Sequence, residues 1–183
     1  GQKLHFKKAV IATGARAAAP PIPGLDEVDY LTNETLFSLT ELPPRLGIIG
    51  AGPIGCEMAQ TFARLGSKVH LVESMPGIMG REDRHAADLV ANQMKKDGVE
   101  ILCCGKELKV AKNADGSIRL TVESEGRGYD LSVDKLLVAV GRAPNIEGLD
   151  LEKAGVDSHK KGVTVDDHLR TTNPRIFAAR DIC

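Results

Sequence analysis

Apolar positions along the middle of the chain follow two periods in turn. From Arg45 onward they predict strands at residues 46–49, 68–73 and 99–103 and helices at residues 53–65 and 81–97. Gly66 and Gly98 stand where helices commonly end. In the second helix the predicted buried face carries Ala86, Leu89, Val90 and Met94. This alternation of strand and helix predicts a parallel sheet with right-handed crossovers.

After the third predicted strand, the sequence pattern changes from alternating strands and helices to short strands separated by turns. Residues 107–110, 118–123 and 129–133 read as strands separated by turn residues, which predicts an antiparallel meander. Residues 136–141 form a continuous apolar run suited to the centre of a sheet. We therefore predict an α/β fold: a Rossmann-like parallel sheet with helices on both faces and an antiparallel β-meander insertion.

Composition supports a globular α/β core and excludes several classes of function. The chain has 183 residues, 42% hydrophobic and 27% charged, with a formal net charge of −1, so nothing points to nucleic acid or to an anionic membrane as a partner. No apolar run of about 18 residues predicts a membrane span. Residues 1–8 lack the apolar region of a signal peptide. Because the chain begins without Met and ends directly after an apolar run, we expect a segment of a longer protein.

The four cysteines do not suggest a metal site. Cys56, Cys103, Cys104 and Cys183 form no C-x-x-C and have no metal-ligand spacing to histidine, so no metal is predicted. The adjacent Cys103 and Cys104 are open to two interpretations, a redox dithiol or buried residues of a strand. We favour the second, because a disulfide between neighbours is strained and free cysteine often packs as a small apolar residue. Reduced thiols suggest a cytoplasmic location.

A glycine-rich turn is the main functional signal. Residues 50–55 read G-A-G-P-I-G, directly after a predicted strand and at the start of a helix. In such a turn Gly50 permits the bend, Gly52 lets backbone approach a pyrophosphate, and Gly55 lets helix and sheet pack closely. Pro53 suits the first helical turn, and the backbone there, including Ile54, faces the phosphates. The pattern predicts a dinucleotide site.

An acidic residue at the expected distance sharpens this prediction. Glu73 ends the next strand, 18 residues beyond Gly55, where an acid commonly binds the adenosine ribose hydroxyls. Its carboxylate would repel a 2′-phosphate, so we predict NAD(H) in preference to NADP(H). The alternative interpretation is a solvated residue at a strand end.

Four motifs in order then resemble one family. They are A-T-G at residues 12–14, G-A-G-P-I-G-C-E at 50–57, V-A-V-G-R-A-P-N at 138–145 and T-N-P-R-I-F-A-A-R-D at 172–181. Nearly the whole chain resembles the central part of the flavoprotein pyridine nucleotide-disulfide oxidoreductases. Residues 59–69 and 81–83 are most similar to the branch with mercuric reductase and dihydrolipoamide dehydrogenase.

The resemblance implies an organisation and a set of roles. Residues 43–144 would form the NAD(H)-binding domain, and residues 1–42 and 145–183 would be flanking segments of an FAD domain. The full-length protein would be a homodimer that passes hydride from NADH to FAD and then electrons to a redox disulfide or Hg(II). Glu57 would lie near the flavin, although a glutamate in the first helical turn is also favoured by the helix dipole alone.

Further roles follow residue by residue from the same resemblance. Gly141 would lie at the nicotinamide end of the dinucleotide. Gly14 would lie near FAD, and Asp181 would bind the ribityl-pyrophosphate region of FAD. Arg180 departs from the family, which has glycine before this aspartate, and it puts a long cationic side chain where backbone should approach FAD.

Other family features are absent from this chain. The N-terminal FAD glycine motif, the redox C-x-x-x-x-C and the C-terminal dimerisation domain with its catalytic histidine do not occur. No residue here is therefore predicted to be catalytic, and we expect the chain alone to bind nucleotide weakly and to catalyse nothing. Two alternatives remain: an NADH oxidase or ferredoxin reductase-like flavoprotein without redox cysteines, and a non-catalytic dinucleotide-binding module.

Overall fold

The computed structural model describes residues 5–183, so the first four residues of the predicted N-terminal segment lie outside the described part. The strands are β1 (Ala9–Ile11), β2 (Ala15–Ala17), β3 (Arg45–Ile49), β4 (Lys68–Val72), β5 (Val99–Leu102), β6 (Lys106–Lys112), β7 (Ile118–Ser124), β8 (Arg127–Val133), β9 (Lys135–Val138), β10 (Arg142–Pro144), β11 (Ser158–His159), β12 (Gly162–Val163) and β13 (Ile176–Ala178). The α-helices are α1 (Pro53–Leu65) and α2 (Arg84–Lys96). Short 3₁₀ segments occupy Leu25–Glu27, Leu36–Ser38, Leu151–Ala154 and Arg180–Ile182.

The chain divides into two compact units. One unit is Ala19–Gly141, and the other combines the residues up to Ala18 with Arg142–Cys183. Each unit has its own apolar core. The assignment of one unit to NAD(H) and the other to FAD stays a prediction.

The first unit is built on a four-stranded parallel sheet. Its strand order is β5-β4-β3-β9, and each neighbouring pair runs parallel. Leu46, Ile48, Val69, Leu71 and Leu137 are fully buried, as expected for central strands covered on both faces. The predicted α/β class with a parallel sheet is confirmed.

Helix α1 has the bounds that the sequence predicts. Pro53 occupies the first turn, where its missing N–H is not needed. Gly66 ends the helix in a left-handed conformation with φ 109°, and its N–H donates to the carbonyls of Ala63 and Phe62. Both signals are local, which is why sequence alone places this helix correctly.

Helix α2 differs from the prediction in its start and in its buried face. It begins at Arg84 rather than at residue 81, because the Asp83 side chain accepts a hydrogen bond of 3.0 Å from the Ala86 N–H and so caps the helix. The buried positions are Ala87 and Met94, whereas Leu89 is 60% exposed. The predicted face is confirmed at Met94 and at the partly buried Val90, and it is wrong at Ala86 and Leu89, which are exposed.

The antiparallel meander covers the face of the four-stranded parallel sheet that lies opposite the two helices. Strands β6, β7 and β8 form a separate antiparallel sheet, as predicted. Leu120 and Val133 from this sheet share a core with Ile49, Leu136 and Val138. The apolar cluster that contains the helix residues lies on the other side of β3 and β4. Helices on both faces were predicted, but α1 and α2 share one face, because two successive right-handed crossovers run in the same direction.

The second unit is smaller and more irregular. Strands β1 and β13 pair in parallel, β2 and β10 pair antiparallel, and β11 and β12 form a hairpin. Its core contains Leu151, Val163, Ile176, Ala178 and Ile182. Among residues 5–183, no helix combines the length and the hydropathy that a membrane-spanning segment needs.

The adjacent cysteines do not continue β5, contrary to the prediction. The strand ends at Leu102, and Cys104 has a left-handed backbone with φ 55°. Both cysteines are half-buried and free. They lie in the connection from β5 to β6.

Candidate functional site

The glycine turn between β3 and α1 depends on two glycines for its shape. Gly50 has φ 99°, and a Cβ there would lie 2.6 Å from the Ala139 carbonyl oxygen. A Cβ on Gly55 would lie 1.9 Å from the carbonyl oxygen of Gly50. Neither approach leaves room for a side chain, so both glycines are required by the packing of turn, strand and helix.

Gly52 differs from these two because no atom lies within 4 Å of the position that a Cβ would take. The residue is the N-cap of α1, and no side chain caps the helix there among the described residues. Pro53 and Ile54 follow in the first turn. The amide N–H groups of this turn are thus available to an external acceptor, and the positive end of the helix dipole favours an anion.

Glu73 follows β4 and is tied to the same turn. Its Oε2 accepts a hydrogen bond of 2.8 Å from the Ala51 N–H. Its Oε1 accepts from the Met75 N–H at 2.9 Å and from the Ser74 hydroxyl at 3.1 Å. These three donors fix the carboxylate at the edge of the glycine turn, and Oε2, which accepts only one of them, retains acceptor capacity for a ligand hydroxyl.

Two thiols lie around this carboxylate. The Cys56 thiol in α1 donates to the Ala51 carbonyl oxygen at 3.3 Å. Burial, with the nearby Glu73 charge as a smaller cause, raises the pKa of Cys56 to about 12. Burial also raises the pKa of Cys103. Neither thiol is therefore an activated nucleophile at neutral pH.

The predicted nicotinamide-side residues lie on elements that border the same turn. Glu57 is exposed on the first half of α1. Gly141 has φ 136° with no atom within 4 Å of a Cβ position, and it follows β9. The Ala139 N–H donates a hydrogen bond of 2.8 Å to the Ile49 carbonyl, and this bond holds the end of β9 beside the end of β3.

In the second unit, two of the sequence motifs meet. The Thr13 hydroxyl donates to the Asn145 carbonyl at 3.0 Å, and the Asn145 side-chain amide donates to the Thr13 carbonyl at 3.0 Å. The Asn145 N–H also donates to the Gly14 carbonyl at 2.9 Å. Gly14 itself has φ 68° and open space at its Cβ position. The A-T-G and R-A-P-N motifs therefore form one hydrogen-bonded loop pair.

Asp181 belongs to the C-terminal end of that unit. Its Oδ2 lies 3.3 Å from Nη2 of Arg142, which also donates 2.6 Å to the Ala15 carbonyl. Arg180 is exposed and has φ 69°, the left-handed region that glycine adopts without strain.

The structure gathers part of the predicted site in one place. Gly50, Gly52, Pro53, Ile54, Gly55 and Glu73 surround the turn of the first unit, while Gly14 and Asp181 lie in the second. Sequence reasoning missed Ala51, Ser74 and Met75, whose donors act on Glu73 through backbone or a short hydroxyl and leave no distinctive residue pattern. It also missed Arg142 as the partner of Asp181. Residues 5–183 contain no cluster of three or more potential metal ligands.

Comparison with known proteins agrees with the resemblance. The chain matches the family described as pyridine nucleotide-disulphide oxidoreductase over residues 1–183. It is 38% identical to a mercuric reductase of Staphylococcus aureus over 183 residues, which are 100% of this chain and 33% of that protein. It is 37% identical to a dihydrolipoyl dehydrogenase of Bacillus subtilis over 174 residues, covering 95% of this chain and 37% of that enzyme.

A solved structure gives the same picture. The Cu(II) complex of the HOCl-induced flavoprotein disulfide reductase RclA from Escherichia coli superposes with a TM-score of 0.86 at 36% identity, covering 98% of this chain and 41% of that chain. This agreement confirms both the predicted resemblance and the fold class. The chain spans about a third of the length of the curated relatives it matches.

Proposed function

Because the chain belongs to the pyridine nucleotide-disulphide oxidoreductase family, we propose that it is the NAD(H)-binding portion of an FAD-dependent oxidoreductase. The observation that carries the proposal is the join between Glu73 and the glycine turn. Glu73, which directly follows β4, accepts a hydrogen bond of 2.8 Å from the Ala51 N–H, and Ala51 lies inside the G-x-G-x-x-G motif. The residues for a pyrophosphate and for a ribose are thereby held side by side.

The phosphates are proposed to bind at Gly50, Gly52, Pro53, Ile54 and Gly55. Open space over Gly52 and the uncapped start of α1 support this assignment. Backbone N–H groups at a helix N-terminus bind phosphate oxygens well, because they need no charged side chain and cost little reorganisation. The dinucleotide supplies the hydride chemistry when it is bound.

Glu73 is proposed to accept hydrogen bonds from the adenosine ribose. Its carboxylate is held by three donors, so it cannot easily turn away from a 2′-phosphate. Repulsion between the two charges then favours NAD(H) over NADP(H). Glu57 and Gly141 are proposed to lie at the nicotinamide end.

The activity of the whole protein is a wider proposal. Passage of hydride from NADH to FAD, and of electrons onward to a redox disulfide or Hg(II), involves segments outside this chain. Gly14 and Asp181 would contribute to the FAD site. The open space at the Cβ position of Gly14 supports this assignment, whereas the Arg180 side chain next to Asp181 argues against it. Homodimeric assembly and a cytoplasmic location of that protein stay predictions.

Calorimetric titration of the 183-residue chain with NADH and with NADPH tests the nucleotide assignment. We expect one site per chain, with NADH bound more tightly. Nicotinamide mononucleotide (NMN), which lacks the adenosine half, serves as the control ligand and should bind far more weakly than AMP. Tighter binding of NADPH would contradict the role of Glu73, and no binding of either nucleotide would contradict the proposed function.

A further inference from the structure

The connection from β5 to β6 carries two thiols that the proposed function does not use. Cys103 and Cys104 are adjacent, half-buried and free. Consecutive side chains of a regular strand point to opposite faces. The left-handed backbone at Cys104, with φ 55°, removes this constraint, so the two thiols are not held apart by strand geometry.

Backbone hydrogen bonds join this connection to the loop that begins with Glu73 after β4. The Cys104 N–H donates to the Met75 carbonyl at 3.2 Å, and the Gly105 N–H donates to the Glu73 carbonyl at 2.8 Å. Burial is the main cause that raises the pKa of Cys103; the Gly77 backbone amide, which lowers it, and the Glu73 charge, which raises it, are smaller causes. The Cys103 side chain therefore faces the loop that carries the ribose acid.

We propose that Cys103 and Cys104 form a chelating site for monosubstituted arsenic(III) oxides, and that filling it weakens nucleotide binding through Glu73. The second half of the proposal rests on the proposed function. In the reaction two S–H bonds and the As=O bond break, two As–S bonds form, and the oxygen leaves with both thiol protons as water. The arsenic stays trivalent, so no oxidant or reductant is needed.

The thiols suit this chemistry better than oxidation. Desolvation raises the pKa of Cys103, so the group is largely protonated at neutral pH and reacts slowly with peroxide, which requires thiolate. Condensation with an arsenic(III) oxide consumes the thiol protons. A direct disulfide would also close a strained ring between neighbours, whereas an arsenic atom bridges a wider sulfur separation.

Coupling to nucleotide follows from the hydrogen bonds. A bridge between the two sulfurs changes the backbone at Cys104, and the Met75 and Glu73 carbonyls bonded to this connection must follow. Glu73 is the acceptor for Ala51, so the ribose acid and the glycine turn move apart. By thermodynamic linkage, bound nucleotide must weaken arsenical binding by the same factor by which the arsenical weakens nucleotide binding.

Phenylarsine oxide is the probe for the site itself. Intact mass spectrometry of the 183-residue chain should find one adduct that survives excess monothiol and is removed by 2,3-dimercaptopropanol. Cys103→Ser and Cys104→Ser should each abolish the stable adduct, and Cys183→Ser, at the exposed C-terminal cysteine, should retain it. Peptide mapping of the unsubstituted chain gives a second measurement that does not depend on the variants folding. A stable adduct that maps elsewhere, or none, would overturn the proposal.

Titration with NADH tests the coupling. We expect the adduct to raise the Kd for NADH about tenfold, and saturating NADH to slow adduct formation. An adduct at Cys103 and Cys104 that leaves the Kd unchanged would overturn the second half. If the unmodified chain binds no NADH, the proposed function fails, while the adduct measurements still decide whether the dithiol site exists.

Discussion

The backbone N–H of Ala51 donates a hydrogen bond of 2.8 Å to the carboxylate of Glu73, 22 residues further along the chain. Ala51 lies inside the glycine turn after β3, and Glu73 follows β4. Because β3 and β4 are parallel neighbours, their carboxyl ends meet at one edge of the sheet. The glycine turn and Glu73, which we propose bind phosphate and ribose, are thus joined by a direct hydrogen bond.

Replacement of this acid tests its proposed role in nucleotide choice. In Glu73→Gln an oxygen acceptor remains for Ala51, but the negative charge and one acceptor oxygen are lost. We expect NADH affinity to fall and the ratio of NADH to NADPH affinity to drop by about tenfold, which is roughly 1.4 kcal/mol of discrimination. Glu41→Gln at an exposed position is the matched control. An unchanged ratio in parallel titrations would count against the ribose assignment.

Gly55 is predicted to be structural. A Cβ in Gly55→Ala would lie 1.9 Å from the Gly50 carbonyl oxygen, so either the helix or the turn must move. We expect a loss of about 2–4 kcal/mol in the free energy of unfolding, the range of a severe packing conflict. Urea denaturation followed by circular dichroism measures it. A loss below about 0.5 kcal/mol would mean that the turn does not pack as described.

The parts of the fold that sequence predicted are those determined by local chemistry. Pro53 and Gly66 place α1 because each acts within one helical turn. The start of α2 was placed at residue 81, whereas the helix begins after Asp83, whose side chain accepts a hydrogen bond from the Ala86 N–H and caps it. Met94 was correctly assigned to the buried face, but tertiary packing buries Ala87 and leaves Leu89 exposed.

Backbone strain at Arg180 gives a stability prediction. Its φ of 69° costs a non-glycine residue about 1 kcal/mol, a cost that glycine avoids. We expect Arg180→Gly to raise the free energy of unfolding by about that amount. Ala179→Gly is the matched control, because φ there is −148° and glycine should destabilise it. Equal effects of the two substitutions in chemical denaturation would contradict the assignment of strain to Arg180.

Asp97 gives a prediction for pH dependence. Its carboxylate accepts from the side chains of Gln60, Arg64 and Gln93 at 2.7, 2.9 and 2.9 Å, which joins α1 to the end of α2. The Gln60 amide, with smaller effects of Arg64 and Gln93, lowers the pKa of Asp97. A lowered pKa in the folded state contributes stability above the unfolded value, near pH 4, and this contribution is lost as pH falls through the folded value.

We therefore expect Asp97→Asn to destabilise the chain at pH 7 and to have less effect as pH falls below about 4. Urea denaturation at pH 7, 5 and 3 supplies the differences from the unsubstituted chain. Asp26→Asn at an exposed position serves as the control and should give a much smaller difference. A destabilisation that is constant across this range would show that the charge on Asp97 is not responsible.

The candidate site was predictable where residue type carries the chemistry. Glycine spacing predicted the turn after β3, and the acid 18 residues beyond Gly55 is the one that the structure places against this turn. The donors from Ala51 and Met75 are backbone groups that any residue supplies, so no sequence pattern reveals them. Pairing of Arg142 with Asp181 joins distant parts of the chain and depends on the fold.

The most direct test of the central claim is calorimetric titration of Gly52→Ala with NADH. Gly52 has an extended backbone that alanine adopts, and nothing lies within 4 Å of the new Cβ, so folding stability should change by no more than about 1 kcal/mol. If the pyrophosphate approaches this backbone, the added methyl group stands in its path and the Kd should rise at least tenfold. An unchanged Kd in a fully folded variant would contradict dinucleotide binding at the glycine turn.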